Sequence, residues 1–167
     1  MTATETPAGP APIVPDYHAL AERLAGLREQ GASVALANGC FDVLHVGHVR
    51  LLTEAAATAD LLVVALNTDE SVRANKGDSR PAVPLAERME VIAALRGVAF
   101  VTSFGDSTAG PLLAALRPDV HVKGTDWAAE DVPERDVVMA YGGRIAICGD
   151  PKTHSSSELL ERMRDAD

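Results

Sequence analysis

The chain has 167 residues, of which 47% are hydrophobic and 23% are charged, a composition typical of one folded domain. Its net charge of −9 argues against a protein that binds nucleic acid through the phosphates. No apolar run is long enough for a transmembrane helix, residues 1–15 lack the pattern of a secretory signal, and Cys40 and Cys148 have no zinc-site or disulfide spacing. We therefore expect a cytoplasmic protein with no nucleic-acid or membrane partner.

The N-terminal region is predicted to be a flexible tail over residues 1–15, which are rich in proline and lack a periodic apolar pattern. A single domain over residues 16–167 is predicted to follow. Asp16 is a candidate helix N-cap, because apolar residues recur at helical spacing over 17–27. Gly31 is expected to end this helix.

Short apolar runs then alternate with helical patterns to the end of the chain. The predicted strands cover 34–37, 61–66, 98–101, 120–122 and 145–148, and the helices that follow them cover 46–59, 85–95, 111–116, 133–141 and 155–163. Continuous apolar runs favour strands that are buried on both faces. We therefore predict an α/β fold, a Rossmann-like doubly wound parallel sheet of five strands, with ligands beyond the carboxyl ends of the strands.

Two histidines stand three residues apart where the first of these helices begins, in the stretch Asn38-Gly39-Cys40-Phe41-Asp42-Val43-Leu44-His45-Val46-Gly47-His48. A helix N-terminus attracts anions through its free N–H groups, and two imidazoles add further donors for phosphate oxygens. Gly47 lacks a Cβ and lets a ligand approach the backbone. The alternatives are a surface pair of histidines or a metal pair on one helix face. Further metal ligands at motif spacing are absent from the sequence, so no metal site is predicted.

Two common nucleotide-binding motifs are absent from the sequence, namely G-x-G-x-x-G after the first strand and the P-loop. Gly105-Asp106-Ser107 is a near match to the hydrolase motif G-x-S-x-G. A hydrolase that uses Ser107 is thus one alternative. Capping of the next helix by Ser107 or Thr108 is the favoured interpretation.

The lysines of the chain, Lys76, Lys123 and Lys152, all lie in segments that follow predicted strands. Residues 71–96 are locally basic although the whole chain is acidic. A positive pocket in an acidic protein suits a small polyanion. The plain alternative is that exposed loops carry lysine anyway.

These motifs resemble those of a known superfamily. The segment from Gly39 to Asp42, with His45-Val46-Gly47-His48, resembles the H-x-G-H signature of the nucleotidyltransferases, which include cytidylyltransferases and heptose-phosphate adenylyltransferases. Lys152-Thr153-His154-Ser155-Ser156-Ser157 resembles their second signature, which opens the last helix.

Three further stretches are similar to the D-glycero-β-D-manno-heptose 1-phosphate adenylyltransferases, a domain often fused to a sugar kinase. They are Asn67-Thr68-Asp69-Glu70, the region from Lys76-Gly77-Asp78-Ser79-Arg80-Pro81 to Arg88, and Val122-Lys123-Gly124-Thr125-Asp126-Trp127. The resemblance implies that ATP and the heptose 1-phosphate give ADP-heptose and pyrophosphate. A cytidylyltransferase for a polyol phosphate such as glycerol 3-phosphate and a non-catalytic nucleotide-binding domain are the alternatives.

The resemblance also implies roles for individual residues. Expected catalytic residues are His45, His48 and Lys123. Expected nucleotide-binding residues are Gly39, Cys40, Phe41, His45, Gly47, His48, Lys152, Ser155, Ser156 and Ser157. Expected substrate-binding residues are Asp42, Asp69, Lys76, Arg80, Arg88, Lys123, Asp126 and Trp127. Mg²⁺ is expected to bind mainly through the ATP phosphates. The implied partners are a second copy of the chain and a separate sugar kinase.

Overall fold

The computed structural model describes residues 9–151 and 155–165. Within them the strands are β1 (Ile13–Asp16), β2 (Val34–Gly39), β3 (Leu61–Asn67), β4 (Val98–Phe104), β5 (Val120–Gly124) and β6 (Arg144–Cys148). The helices are α1 (Tyr17–Glu29), α2 (Val46–Ala56), α3 (Asp69–Lys76), α4 (Leu85–Ala93), α5 (Gly110–Leu116), α6 (Arg135–Ala140) and α7 (Ser156–Arg164), with a 3₁₀ turn at Ala129–Asp131. None of these helices is long and apolar enough to cross a membrane.

The six strands form one parallel sheet in the order β1-β4-β3-β2-β5-β6. β2 pairs with β3 on one side and with β5 on the other, so the direction of strand addition reverses at β2. The predicted α/β, Rossmann-like fold is therefore confirmed. In such a sheet the crevice for ligands lies at this reversal, beyond the carboxyl ends of β2 and β5.

Helices cover both faces of the sheet, and successive residues of β2 pack against different helices. Val34 and Leu36 belong to a core that contains buried residues of α1, α5 and α6. Ala35 and Ala37 belong to a second core with buried residues of α2 and α4. Alternate residues of a strand point to opposite faces, so a strand covered on both faces is apolar throughout. This explains why the central strands could be predicted as continuous apolar runs.

The N-terminal edge of the sheet differs from the prediction of five strands and a tail up to residue 15. Ile13–Asp16 forms a sixth strand beside β4. Before it, Ala11 is buried and its N–H donates to the carbonyl of Ala93 at 2.8 Å. The carbonyl of Pro12 accepts from the N–H of Val101 at 3.0 Å. Proline is tolerated on an edge strand, which needs donors on one side only, so the prolines here do not exclude a strand.

The other predicted strands and helices are present, with ends that differ by a few residues. Asp16 caps α1 as predicted, because its carboxylate accepts from the N–H of His18 at 2.9 Å. The helix α3 was not predicted; it is mostly polar and is capped by the hydroxyl of Thr68. Residues 1–8 of the predicted tail and Lys152 of the predicted site lie outside the described residues.

Candidate active site

A cavity of about 370 Å³ opens at the carboxyl ends of β2, β5 and β6. The first residues of α2 and the residues that begin α7 both line it. Of the predicted site residues, it is lined by Gly39, Cys40, Phe41, Asp42, His45, Gly47, His48, Lys76, Lys123, Asp126, Trp127, Ser155, Ser156 and Ser157. The cavity therefore brings the residues of the H-x-G-H signature together with the three serines of the second signature at the reversal point of the sheet.

The start of α2 fixes the orientation of both histidines. His45 is the N-cap, and its Nδ1 accepts from the N–H of Gly47 at 3.1 Å. The Nδ1 of His48 accepts from the N–H of His45 at 3.4 Å, and the two rings stack with centroids 3.9 Å apart. A neutral imidazole that accepts at Nδ1 carries its proton on Nε2. The capping bonds therefore make the Nε2–H of each ring the donor.

The protonation of His48 follows from its surroundings. Burial, the neighbouring His45 and the charge of Lys76 lower the pKa of His48 to about 4. The ring of Phe41 adds an apolar neighbour, edge-on with centroids 5.2 Å apart. At neutral pH, His48 is thus an uncharged hydrogen-bond donor at a helix N-terminus.

The loop between β2 and α2 is held by an internal carboxylate. Asp42 is buried and accepts from the N–H groups of Ala82 and Val83, at 2.8 and 2.9 Å, and from Nε of Arg80. Burial raises the pKa of Asp42, but these backbone bonds and the Arg80 charge outweigh it and leave the pKa below its ordinary value. Phe41 has a φ of +47°, a conformation that a bulky residue keeps only where its surroundings impose it.

Arg88 lies beneath this loop and has no exposed side-chain surface. Its guanidinium donates to the carbonyls of Cys40 and Asn67, at 2.6 and 3.0 Å, and to the carboxylate of Asp69 at 2.7 Å. It therefore ties the ends of β2 and β3 together. Among the predicted substrate-binding residues, Arg80, Arg88 and Asp69 do not line the cavity. In the structure Arg80 pairs with Asp42 and Arg88 pairs with Asp69, so a direct contact of these residues with the substrate stays a prediction.

The start of α7 also lines the cavity. The hydroxyl of Ser155 accepts from the N–H of Glu158 at 3.1 Å and caps the helix. Ser156 donates its hydroxyl to the carbonyl of Val43 at 3.0 Å, and Ser157 accepts from Arg80 at 3.4 Å. The serines thus connect α7 to the loop that carries the histidines.

Comparisons with known proteins show which family the chain belongs to. The sequence model of the cytidylyltransferase-like family matches residues 36–162, which is most of the chain. The chain belongs to this family.

Curated relatives are similar over nearly the whole chain. A bifunctional protein HldE of a Bradyrhizobium species is 44% identical over 91% of this chain, and one of a Caulobacter species is 45% identical over 84%. The matches cover 31% and 29% of those proteins, so this cytidylyltransferase-like chain spans less than a third of their length. The crystal structure of a lipopolysaccharide core biosynthesis protein from Thermoplasma volcanium is similar in fold, with a TM-score of 0.63. It is 24% identical and covers 73% of this chain, and the match spans all of that protein.

Several residues that the sequence analysis did not select also line the cavity of this family member, among them Asn38, Arg50, Thr125, Cys148, Gly149 and Asp150. Asp150 pairs with Arg50, and its carbonyl accepts from the hydroxyl of Thr125 at 2.6 Å. The signal that could have found Gly149 and Asp150 is their position directly after the last predicted strand. The hydrolase alternative gains no support, because Ser107 is exposed and does not line the cavity.

Proposed function

We propose that the chain is an adenylyltransferase that joins ATP and D-glycero-β-D-manno-heptose 1-phosphate, giving ADP-heptose and pyrophosphate. The observation that carries this proposal is the pair of helix N-termini, α2 with two histidines and α7 with three serines, that face one cavity. Such an arrangement suits a triphosphate, which needs donors along its whole length. The similarity to the HldE proteins and the stretches around Lys76 and Lys123 support the heptose 1-phosphate as acceptor.

The reaction is an in-line displacement at the α-phosphorus of ATP. An oxygen of the sugar phosphate attacks, the bond to the bridging oxygen breaks, and pyrophosphate leaves with its electron pair. Transfers of this kind depend on positioning and on stabilisation of the charge that develops on the leaving group. His45 and His48 are proposed to donate from Nε2 to the triphosphate, with His48 stabilising the bridging oxygen as negative charge grows on it.

The other groups bind rather than react. Ser155, Ser156 and Ser157 are proposed to hold the β- and γ-phosphates together with Lys152. Lys76 and Lys123 line the same cavity and are candidates for the phosphate of the acceptor or of the nucleotide. Gly39, Cys40, Phe41 and Gly47 would approach the nucleotide, and Asp126 and Trp127 the sugar or ribose.

Mg²⁺ is proposed as the cofactor, bound mainly through phosphate oxygens of ATP. The described residues contain no cluster of three side chains that could hold a metal on their own. The carboxylate of Asp42 is already committed to Arg80 and two N–H groups. A Mg²⁺ ion that enters with ATP and keeps several of its waters needs few ligands from the protein, which fits both observations. When bound, the ion would neutralise charge on the pyrophosphate that leaves.

The proposed partners follow from the reaction. A sugar kinase would supply the sugar 1-phosphate, and ATP as a substrate favours the cytoplasm. A homodimer stays a prediction that light scattering on the purified chain would test.

Pyrophosphate release tests the proposal across a matrix of four nucleoside triphosphates and several phosphorylated sugars and polyols. ATP with the heptose 1-phosphate is expected to be the best pair. If CTP with glycerol 3-phosphate is best, the heptose assignment fails and the nucleotidyl transfer stands. If no pair releases pyrophosphate while ATP binds, the non-catalytic alternative is correct.

A further inference from the structure

One wall of the cavity contains an ion pair that is nearly closed to solvent. The Nζ of Lys123, at the carboxyl end of β5, lies 3.4 Å from Oε2 of Glu134. The side chains of the two residues are 13% and 12% exposed. The same Nζ lies 5.6 Å from the centroid of the Trp127 ring. Lys123 and Trp127 line the cavity, whereas Glu134 does not.

This pair is poorly explained as a contribution to stability. Two charges taken out of water recover the cost of desolvation only where hydrogen bonds satisfy them fully. The Oε2 of Glu134 is buried and accepts no hydrogen bond in the described part of the protein. Burial of the Glu134 carboxylate costs desolvation free energy. An effect on the position of Lys123, which lines the cavity, explains this burial better than a gain in stability does.

The backbone around Glu134 holds it in place. Glu134 directly precedes α6, and its carbonyl accepts from the N–H of Val138 at 3.1 Å, in the first turn of that helix. Val132, two residues earlier, is 3% exposed and anchors the segment in the core. The carboxylate is thus presented from a fixed point of the fold.

A lysine side chain needs such a fixed partner if it is to act at one position. Its ammonium is a point charge on a flexible four-carbon stem, with three donors that rotate freely. The ion pair with Glu134 limits where the ammonium can lie and leaves its N–H donors for a phosphate oxygen in the cavity. The ring of Trp127 adds a cation–π contact, which further restricts the position of the Lys123 ammonium.

We propose that Glu134 is a positioning residue, which holds the ammonium of Lys123 at the cavity wall for a phosphate group of the substrates and acts only through Lys123. This inference rests on the proposed nucleotidyl transfer and adds to it a residue that does not touch the substrates. The competing explanation is a structural one, in which the ion pair only fastens the segment between β5 and α6.

A double-mutant cycle on the full chain separates the two explanations. The proteins are the wild type, Glu134→Gln, Lys123→Ala and the double variant, with Asp136→Asn as a control, because that carboxylate is fully exposed. Each is assayed for kcat and KM with the nucleotide and acceptor that the wild type turns over best, is titrated with ATP by calorimetry, and is melted.

Glu134→Gln is expected to lower kcat/KM about tenfold, as for misplacement of a binding group, and Lys123→Ala to lower it further. In the Lys123→Ala background, Glu134→Gln should change kcat/KM and ATP affinity less than twofold. Asp136→Asn should resemble the wild type. The proposal is overturned if Glu134→Gln changes neither kinetics nor ATP affinity, or acts equally with and without Lys123. It is also overturned if the decrease in kcat/KM of each variant is fully accounted for by a decrease in its melting temperature.

This experiment separates failure of the inference from failure of the proposed function. A different best pair of substrates would overturn the heptose assignment, but the cycle would still be measured on that pair. If no pair reacts, the ATP titrations alone decide whether the two residues act as one unit.

Discussion

The two helix N-termini that face the cavity differ in how firmly the fold holds them. The start of α2 is linked to the core through the buried ring of Phe41 and the buried carboxylate of Asp42, and its two histidines cap each other. None of the described residues of α7 is buried. Within the described part of the chain, one hydrogen bond from Ser156 and one to Ser157 join its first turn to the loops around Val43 and Arg80. In the proposed reaction the two termini would therefore have different tasks. The firmly held donors of α2 suit stabilisation of the transition state, and the more loosely held donors of α7 suit binding of the substrate.

The largest effect is expected at the rigid terminus. His48→Ala should lower turnover on the order of 10²–10³-fold, as when one preorganised donor is removed from such a site. The KM for ATP should move much less, because the contacts of the serines and lysines remain. Steady-state kinetics with a thermal melt measures both. His18→Ala is the control, since His18 is exposed on α1. A His48→Ala enzyme with normal turnover would remove the catalytic role.

The second prediction concerns what holds that terminus. Asp42→Asn should destabilise the domain by about 3 kcal/mol, because it leaves the Arg80 charge buried without its partner. Chemical denaturation measures the loss. Asp150→Asn breaks the exposed pair with Arg50, where both side chains are 52% exposed, and should cost less than about 1 kcal/mol. Equal losses in the two variants would show that the carboxylate of Asp42 does not anchor the loop.

A buried histidine beside the cavity gives a prediction about pH. His121 is fully buried and its Nε2 lies 2.9 Å from Oδ1 of Asn38; burial and then the charge of Lys123 lower its pKa to about 3. Between pH 6.5 and the folded pKa, only the unfolded chain protonates this group, so stability falls as the pH falls. His121→Gln keeps a donor for Asn38 and does not titrate. From pH 7.5 to pH 5, the wild type should lose about 2 kcal/mol more than His121→Gln in denaturant titrations. Parallel pH profiles for the two proteins would contradict this.

The smallest effect is expected at the adaptable terminus. In our proposal the Ser156 hydroxyl, which here donates to the carbonyl of Val43, turns to a phosphate oxygen when ATP binds. Ser156→Ala should then raise the KM for ATP about tenfold, the value of one hydrogen bond to a charged group, and leave kcat nearly unchanged. Ser103→Ala is a matched control, because both hydroxyls donate to a backbone carbonyl at 3.0 Å and Ser103 lies outside the cavity. A loss of kcat in Ser156→Ala as large as that of His48→Ala would remove the distinction between the two termini.

The elements with a clear local pattern of apolar residues could be predicted from the sequence, whereas those that depend on packing against the rest of the chain were missed. The central strands were predictable, because both faces of the sheet are buried and their residues are mostly apolar. The edge strand β1 was missed, since it has four residues and a proline inside it. α3 was missed because its residues are mostly polar.

The residues of the candidate site also divide into those that a sequence motif reveals and those whose place depends on packing. The histidines and serines were found through motifs that lie at helix starts. Arg80 and Arg88 were expected at the substrate, because they belong to a stretch that resembles the heptose 1-phosphate adenylyltransferases. Their burial depends on carboxylates and carbonyls from other parts of the chain, such as Asp42 and the end of β3. Glu134 carried no signal in the sequence, since its meeting with Lys123 depends on how α6 packs beside β5.

The central claim is direct transfer of the adenylyl group, and ATP labelled in its α-phosphate tests it most directly. In a single-turnover reaction with the wild-type chain, Mg²⁺ and D-glycero-β-D-manno-heptose 1-phosphate, the label should pass from ATP to ADP-heptose, with one pyrophosphate released for each label transferred. No label should stay on the protein. Label recovered as AMP, label bound covalently to the chain, or label that remains in ATP while the acceptor is present would contradict the account.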